Sequence, residues 1–254
     1  MSSNNLAGHV AIVTGGNGGI GLGMAMGLAQ AGASIAVWGT NPDKNAAAAV
    51  RLEAAGARVH TEQCNVGDEA AVDASFAATV EALGKVDSLF ANAGISGWVP
   101  SITDLTLEEW HRVMAINLDG AFLTMRAAAR HMVERGEGGA IVAVSSTSAI
   151  HGAPNQPHYG ASKTALLGLV RAMAVGLARH KIRVNALLPG WTATDMLAPG
   201  ASNQKFVDAT VGRTPARRWA DPDEFGALAA FLADPSLTFH TGDSVTMDGG
   251  YTIF

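Results

Sequence analysis

Tyr159 and Lys163 are the two side chains whose types and spacing most directly suggest chemistry. Residues four apart on a helix project from the same face, one turn from each other. A phenol with an ordinary pKa of about 10 exchanges protons poorly near neutral pH, and a nearby ammonium lowers that pKa by stabilising the phenolate. We therefore interpret Tyr159 as a general acid/base assisted by Lys163. The same spacing also occurs by chance on amphipathic helices, although this chain has only two tyrosines.

Ser146 precedes Tyr159 by thirteen residues and follows a short apolar run that predicts a strand. In open α/β sheets, ligands bind outside the carboxyl ends of the strands. A serine at that edge is placed to donate a hydrogen bond to the oxygen of a bound carbonyl or alcohol. Ser145 is the adjacent alternative.

A glycine-rich turn, T-G-x-x-x-G-x-G from Thr14 to Gly21, follows the first predicted strand and opens the first predicted helix. Without side chains at the contact points, the backbone can approach a pyrophosphate and donate N–H groups to it, and the helix dipole favours the anion. The position of the turn predicts dinucleotide binding, although a purely structural turn has the same composition. The expected contacts are Gly15, Asn17, Gly18, Gly19, Ile20 and Gly21.

The elements that must position these residues alternate along the chain. The predicted strands are His9–Thr14, Ser34–Trp38, Arg58–Glu62, Val86–Ala91, Ala140–Ser145, Arg183–Leu188 and Ser244–Met247. The predicted helices are Gly19–Ala31, Pro42–Ala55, Glu69–Leu83, Leu107–Glu134, Gln156–Arg179 and Pro222–Ala233. Strands that are mostly continuous apolar runs, separated by helices, predict parallel strands covered on both faces. We expect one α/β domain over 1–254, a Rossmann-like doubly wound parallel sheet of about seven strands with helices on both faces.

Several short motifs occur in a distinctive order along this pattern. They are Thr14–Gly21, Asn92-Ala93-Gly94, Asn117, Ser146, Tyr159–Lys163, Pro189-Gly190 and Asp248-Gly249-Gly250. In their order and spacing, over essentially its whole length, the chain resembles the short-chain dehydrogenases/reductases in their compact form. The resemblance implies that Ser146, rather than Ser145, is the catalytic serine and that Asn117 holds a water connecting Lys163 to solvent. It also implies that Lys163 binds the nicotinamide ribose.

The resemblance extends to the rest of the NAD(P)(H) site. It implies further cofactor contacts from Asn65, Val66, Asn92, Ala93, Gly94, Pro189, Gly190, Thr192 and Thr194, besides Tyr159 and Lys163. Asn65 and Val66 would flank the adenine. The segment from Pro189 would cover the nicotinamide, with Thr192 binding the carboxamide by its backbone and Thr194 by its hydroxyl.

The preference between the two cofactors depends on the end of the second strand. Relatives that prefer NAD usually have an Asp at the position of Gly39, whereas relatives that prefer NADP have a base at the position of Thr40 or of Gly18; none of these positions is charged here. The remaining donors are Thr40, Asn41, the following helix N-terminus and Lys44, which suit a phosphate or a ribose hydroxyl. We infer a slight lean to NADP(H).

In this family the loops after the strands build the substrate pocket, together with a variable loop that here spans 191–215. The expected pocket residues are Ser96, Trp98, Ser148, His151 and Trp191. Aromatic and apolar side chains there predict a small hydrophobic ketone or secondary alcohol as substrate. Trp98, His151 and Trp191 could equally be ordinary packing residues, and Ser148 could serve only to shape the pocket.

Composition excludes several other classes of protein. The chain has 254 residues, a net charge of −5 and one cysteine, Cys64. A single cysteine excludes an internal disulfide framework, and an acidic balance without a basic stripe argues against nucleic acid as a partner. We expect no metal site, because His151 and His158 are seven apart and no Cys/His pair has the spacing of a zinc site.

We also expect a cytoplasmic protein. The N-terminus, Met1–His9, lacks the basic region and cleavage site of a signal peptide, and we expect no membrane-spanning segment, since the most apolar helical stretch, Ala165–Ala178, contains Arg171. Charged residues make up only 15% of the chain, against about 25% in typical domains. The low charge suggests an oligomer, and the resemblance implies a homotetramer formed through Leu107–Glu134 and Gly249–Phe254.

Three functions fit these observations to different degrees. The first is an enzyme that interconverts a ketone and a secondary alcohol by hydride transfer, with Tyr159 as general acid/base. The alternative is a catalytically silent nucleotide-binding regulator or scaffold of the same fold, against which the intact set of four catalytic candidates argues. Sugar-nucleotide epimerisation on a related fold is a third, although those relatives have a longer C-terminal substrate domain.

Overall fold

The computed structural model describes residues 6–254 and shows one parallel seven-stranded sheet. The strands are β1 (Val10–Thr14), β2 (Ser34–Gly39), β3 (Val59–Gln63), β4 (Ser88–Ala91), β5 (Gly139–Val144), β6 (Ile182–Pro189) and β7 (Ser244–Met247). Their order in the sheet is β3-β2-β1-β4-β5-β6-β7, with every neighbouring pair parallel. The strand order reverses between β1 and β4, which is the point where doubly wound sheets bind their ligands. The predicted fold class is confirmed.

Helices cover both faces of this sheet. They are α1 (Gly19–Gln30), α2 (Pro42–Ala54), α3 (Glu69–Leu83), α4 (Leu107–Met114), α5 (Gly120–Arg135), α6 (Pro157–Leu177), α7 (Ala198–Ala201), α8 (Gln204–Arg213) and α9 (Phe225–Ala233). One apolar core lies between the sheet and α3, α5 and α6. A second lies between the sheet and α1, α2 and α9. Strands buried on both faces account for the continuous apolar runs in the sequence.

Local capping explains where several helices begin. Asn41 accepts a hydrogen bond from Lys44 N at 2.9 Å, and Pro42 occupies the first turn of α2, as the sequence predicts. Asp221 forms a capping box with Glu224 ahead of α9. The first five residues, on which part of the signal-peptide expectation rests, lie outside the described residues.

Two regions differ from the sequence expectation. The predicted helix Leu107–Glu134 is interrupted by a π-helical segment, Ala115–Asp119, which separates α4 from α5. The variable loop at 191–215 contains α7 and α8, and Asn203 caps α8 by accepting hydrogen bonds from the backbone N–H groups of its first turn. The apolar periodicity of the sequence does not reveal a single π-turn, because the apolar face of the helix continues on both sides of it.

One helix in the described part of the chain, Pro157–His180, is long and apolar enough to cross a membrane by length and composition alone, a test that a core helix of an α/β protein also passes. It consists of α6 and the short turn that follows. One face of α6 packs against β6 and buries Leu166 and Val170. We interpret it as a helix of the α/β sandwich, because its first turns carry Tyr159 and Lys163 to the edge of the sheet.

Candidate active site

A cleft of about 990 Å³ lies along the carboxyl ends of the central strands. It brings together most of the residues predicted from sequence. From the glycine-rich turn and the loop after β4 these are Gly15, Asn17, Gly18, Gly19, Ile20, Gly21, Asn92, Ala93, Gly94, Ser96 and Trp98. From the loops after β5 and β6 and from α6 they are Ser146, Ser148, His151, Tyr159, Lys163, Pro189, Gly190, Trp191, Thr192 and Thr194.

Tyr159, Lys163 and Ser146 line this cleft side by side. The Lys163 Nζ atom lies 5.6 Å from the centre of the Tyr159 ring and donates a hydrogen bond to the Val144 carbonyl at 2.8 Å. The Ser146 side chain hydrogen-bonds to the Tyr159 side chain. The Ser145 hydroxyl instead donates to the backbone carbonyl of Lys163 at 2.8 Å. The two serines therefore differ in their partners, since Ser146 acts on the phenol whereas Ser145 is engaged with the backbone of α6.

Burial sets the charge of these groups in a way that the sequence analysis did not anticipate. Burial raises the pKa of Tyr159, and its hydrogen bond with Ser146 opposes that rise only in part. Burial lowers the pKa of Lys163 to about 8. The sequence-based expectation of a lowered phenol pKa is therefore not met, because burial is the largest influence on the pKa of Tyr159 and acts in the opposite direction.

Asn117 lies in the π-helical segment and is fully buried. Its Oδ1 accepts a hydrogen bond from Ile95 N at 2.8 Å, and its Nδ2 donates to Ile95 O at 2.9 Å. Gly94 passes between Asn117 and Lys163, since a Cβ built on Gly94 would lie 3.4 Å from both side chains. Asn117 thus fixes the loop after β4 beside the lysine.

The glycine-rich turn has the shape that a pyrophosphate needs. Among the described residues, nothing lies within 4 Å of a Cβ built on Gly18, so this face of the turn is open. No side chain in residues 6–254 caps the N-terminus of α1, whose first N–H groups have no partner within the helix. Gly21 allows close packing, because a Cβ there would lie 2.2 Å from Gly15 O. These features fit a bound dinucleotide.

The adenosine end of the cleft is organised around two amide side chains, the buried Asn45 and the partly buried Asn17. Asn45 donates to the carbonyls of Gly39 and Glu62, both at 3.0 Å, and accepts from Asn17 at 2.7 Å. A Cβ on Gly39 would lie 2.2 Å from Asn17 Nδ2 and 2.5 Å from Asn45 Oδ1. Gly39 is therefore covered by amide side chains, an arrangement that its neighbours in sequence do not reveal.

The remaining predicted cofactor residues lie around this end without lining the cleft. Thr40 and Asn41 are exposed, and Asn41 is engaged as the cap of α2. Asn65 is exposed and accepts from Gly67 N, whereas Val66 is buried in the core. Lys44 does line the cleft.

Aromatic rings form much of the other end of the cleft. The Trp191 ring packs edge-on against Phe206 and Tyr251, with centroids 5.2 and 6.2 Å away, and His151 packs edge-on against Tyr251. Tyr251 was not predicted as a pocket residue, and Phe206 was covered only by the expected variable loop at 191–215 without being named. Phe206 belongs to the unpredicted α8, and Tyr251 lies sixty positions from Trp191 in sequence, so only the tertiary fold brings them together.

A polar network beside the loop after β4 was also not predicted from the sequence. Arg112 donates to Glu109 at 2.6 Å and to the carbonyl of Ser96 at 3.2 Å, while Glu109 faces the buried His158 at 3.4 Å. The hydrogen bond from Arg112 lowers the pKa of Glu109 to about 2. The network ties the loop of Ser96 to the start of α6, next to Tyr159. Within residues 6–254, no three His, Cys, Asp or Glu side chains are placed so that they could hold a metal ion.

Comparison with known proteins agrees with this geometry. A family model described as enoyl-(acyl carrier protein) reductase matches residues 15–252. The chain is 35% identical to gluconate 5-dehydrogenase of Gluconobacter oxydans, over 98% of this chain and 96% of that protein. Two solved structures superpose over nearly the whole chain. One is a short-chain type dehydrogenase/reductase from Mycobacterium marinum, with a TM-score of 0.94, 34% identity and coverage of 99% and 98% of the two chains.

The other is a gluconate 5-dehydrogenase from Burkholderia cenocepacia in complex with NADP and tartrate. Its TM-score is 0.93 at 35% identity, covering 98% of this chain and 97% of that chain. The similarity spans sheet, cleft and C-terminal segment together. The chain belongs to the short-chain dehydrogenase/reductase family of NAD(P)-dependent oxidoreductases.

Proposed function

We propose that Tyr159 is the general acid/base with which this oxidoreductase interconverts a ketone and a secondary alcohol. The observation that carries the proposal is the meeting of Tyr159, Ser146 and Lys163 beside an open glycine-rich turn in one cleft. No other tyrosine in the described chain has a lysine and a serine placed in this way. A silent scaffold would have no need of this arrangement.

In the reducing direction, the Tyr159 phenol gives its proton to the substrate carbonyl oxygen. The Ser146 hydroxyl stabilises the charge that develops on the same oxygen. When bound, the nicotinamide supplies or accepts the hydride. Lys163 holds the nicotinamide ribose and places a positive charge beside the phenol, and Asn117 keeps the loop after β4 in position and holds a water that connects Lys163 to solvent.

The cofactor NAD(P)(H) would extend along the cleft from α2 to the aromatic wall. The turn from Gly15 to Gly21 binds the pyrophosphate, and the segment from Pro189 to Thr194 covers the nicotinamide. At the adenosine end, Asn65 and Val66 lie beside the cleft rather than in its lining and are the residues proposed to flank the adenine, and NADP(H) is the favoured form. The NADP held by the structure from Burkholderia cenocepacia supports this assignment.

We propose an uncharged, largely hydrophobic ketone or secondary alcohol as substrate. Trp98, Trp191, Phe206 and Tyr251 all line the cleft. Within the described chain, Lys44 and Lys163 are the only Lys or Arg residues that line it, and Lys163 is committed to the catalytic centre. A sugar acid of the kind named for the relatives would therefore lack a dedicated cation for its carboxylate.

We further propose a cytoplasmic homotetramer. The single cysteine is free and buried, as suits a reducing compartment. Phe122 on α5 and Phe254 at the C-terminus are exposed hydrophobic side chains on the two surfaces expected to pair.

The experiment follows the absorbance of the reduced nicotinamide with a panel of cyclic and open-chain ketones, gluconate and tartrate. We expect Tyr159→Phe to lower turnover by roughly 10²- to 10⁴-fold without weakening cofactor binding. Tyr251→Phe is the matched control, because it removes the other tyrosine hydroxyl and should change turnover by less than about tenfold. Equal turnover of wild type and Tyr159→Phe would refute the mechanism, and turnover of gluconate but of no hydrophobic ketone would refute the substrate class.

A further inference from the structure

An ion pair joins the two sides of the cofactor cleft. Lys44 Nζ, from the first turn of α2, lies 2.8 Å from Asp195 Oδ2, in the segment that follows β6. The two residues are 151 positions apart, and both line the cleft. Thr194, beside Asp195, packs on the glycine-rich turn, since a Cβ built on Gly19 would lie 3.1 Å from its Cγ2 atom. The pair therefore bridges the cleft beside the glycine-rich turn, with Lys44 on the side of α2 and Asp195 next to the segment proposed to cover the nicotinamide.

The end of β2 has no positively charged side chain that could bind the 2′-phosphate of NADP(H). Gly39 has no side chain, and the space in front of it is filled by the amides of Asn17 and Asn45. Asn45 is itself held by three hydrogen bonds. These groups are neutral, and they occupy the position from which a carboxylate would repel a phosphate.

Lys44 is the cation at the end of the cleft where the adenosine ribose and its 2′-phosphate would bind. Of the two lysines that line it within residues 6–254, Lys163 is beside Tyr159, whereas Lys44 is one residue before Asn45 on α2. The Lys44 side chain is half-exposed and ends a flexible four-carbon stem. Its ammonium can therefore leave Asp195 for another anion nearby without a change in the backbone.

We propose that Lys44 distinguishes NADP(H) from NAD(H) by exchanging its ion pair with Asp195 for the 2′-phosphate of the cofactor. The inference rests on the proposed binding of the cofactor in this cleft. A phosphate monoester carries a charge of about −1.5 to −2 at neutral pH, so it competes well with a single carboxylate. Asp195 opposes the binding of the phosphate in two ways, because it neutralises Lys44 and adds a negative charge of its own.

The two partners therefore have opposite effects on cofactor affinity. We expect Lys44→Met to raise the Kd of NADPH about tenfold, which corresponds to about 1.4 kcal/mol, and to change the Kd of NADH less than about twofold. We expect Asp195→Asn to lower the Kd of NADPH severalfold and to leave that of NADH nearly unchanged. Both effects should shrink as salt is added, because the groups are exposed.

Isothermal titration of each protein with NADPH and with NADH, at low and high salt, measures these constants directly. Arg51→Met is the matched control, since it removes one positive charge from the exposed last turn of the same helix and should alter neither Kd. The inference would be overturned if Lys44→Met weakened the binding of NADPH and NADH equally, or if Asp195→Asn bound NADPH more weakly than wild type. If wild type binds neither cofactor, the proposed function itself fails, which is a different outcome.

Discussion

Burial governs the protonation of both Tyr159 and Lys163. The pKa of the amine is lowered to about 8 and that of the phenol is raised, so both groups hold their protons at neutral pH. A neutral phenol hydrogen-bonded to Ser146 is a proton donor, which is the form that carbonyl reduction requires. A charged Lys163 beside it stabilises the negative charge that Tyr159 acquires as it gives up the proton.

This burial makes a prediction about stability and pH. The folded-state pKa of Lys163 is about 8 and its ordinary value is 10.5, so between these values the unfolded chain binds more protons than the folded one. The free energy of unfolding contributed by Lys163 should therefore rise with pH across this window, by about 3 kcal/mol in total. Urea unfolding of wild type and of Lys163→Met, from pH 7 to about 10.5, measures the difference.

Below about pH 8 the difference in unfolding free energy between the two proteins should stay constant, because Lys163 is protonated in both states. Comparing the two proteins cancels the titration of all other groups. If the unfolding free energies of the two proteins changed with pH in parallel over the whole range, the folded-state pKa of Lys163 would not be lowered by burial.

At the scale of elements, the sequence predicts most of what positions the site. Six of the helices and all seven strands begin within a few residues of their predicted starts, because their apolar patterns and caps are local. Two features of the site could not be predicted in this way. The position of Asn117 depends on a π-turn, and the amide side chains in front of Gly39 include that of Asn45, which lies six residues away on α2. Phe206 and Tyr251 join the pocket only through long-range packing, which no local pattern encodes.

The crossing of α1 and α9 is a tight contact between elements that positions the glycine-rich turn. A Cβ on Gly27 would lie 2.2 Å from Gly226 Cα, and a backbone atom cannot move aside as a flexible side chain can. Gly27→Ala should therefore push α1 and α9 apart and lower the free energy of unfolding by about 1–3 kcal/mol. Because α1 opens at the glycine-rich turn, we also expect weaker cofactor binding.

Gly212→Ala provides the matched control for this substitution. Gly212 is exposed on α8, and within the described chain nothing lies within 4 Å of its built Cβ. Alanine there should leave the unfolding free energy unchanged or raise it by up to about 1 kcal/mol. Urea unfolding of both variants at one protein concentration gives the comparison, and a Gly27→Ala protein as stable as wild type would contradict the packing argument.

At the scale of the whole molecule, the low content of charge agrees with its exposed apolar side chains. Phe122, Val175, Phe239, Ile253 and Phe254 are all exposed. Phe122 lies on α5, within the long middle helical region expected to pair, and Phe254 ends the C-terminal surface.

The proposed tetramer uses two different surfaces, so the loss of one should leave a dimer held by the other. We expect Phe122→Glu to reduce the mass in solution from four times to twice the 26.0 kDa of the chain, because a carboxylate buried at the contact would be unpaired. Val50→Glu is the control, since Val50 is also exposed but lies on α2, away from both surfaces. Light scattering after size-exclusion chromatography measures the masses. A wild-type protein that elutes as a monomer, or a Phe122→Glu protein that stays tetrameric beside an unchanged Val50→Glu, would exclude pairing through α5.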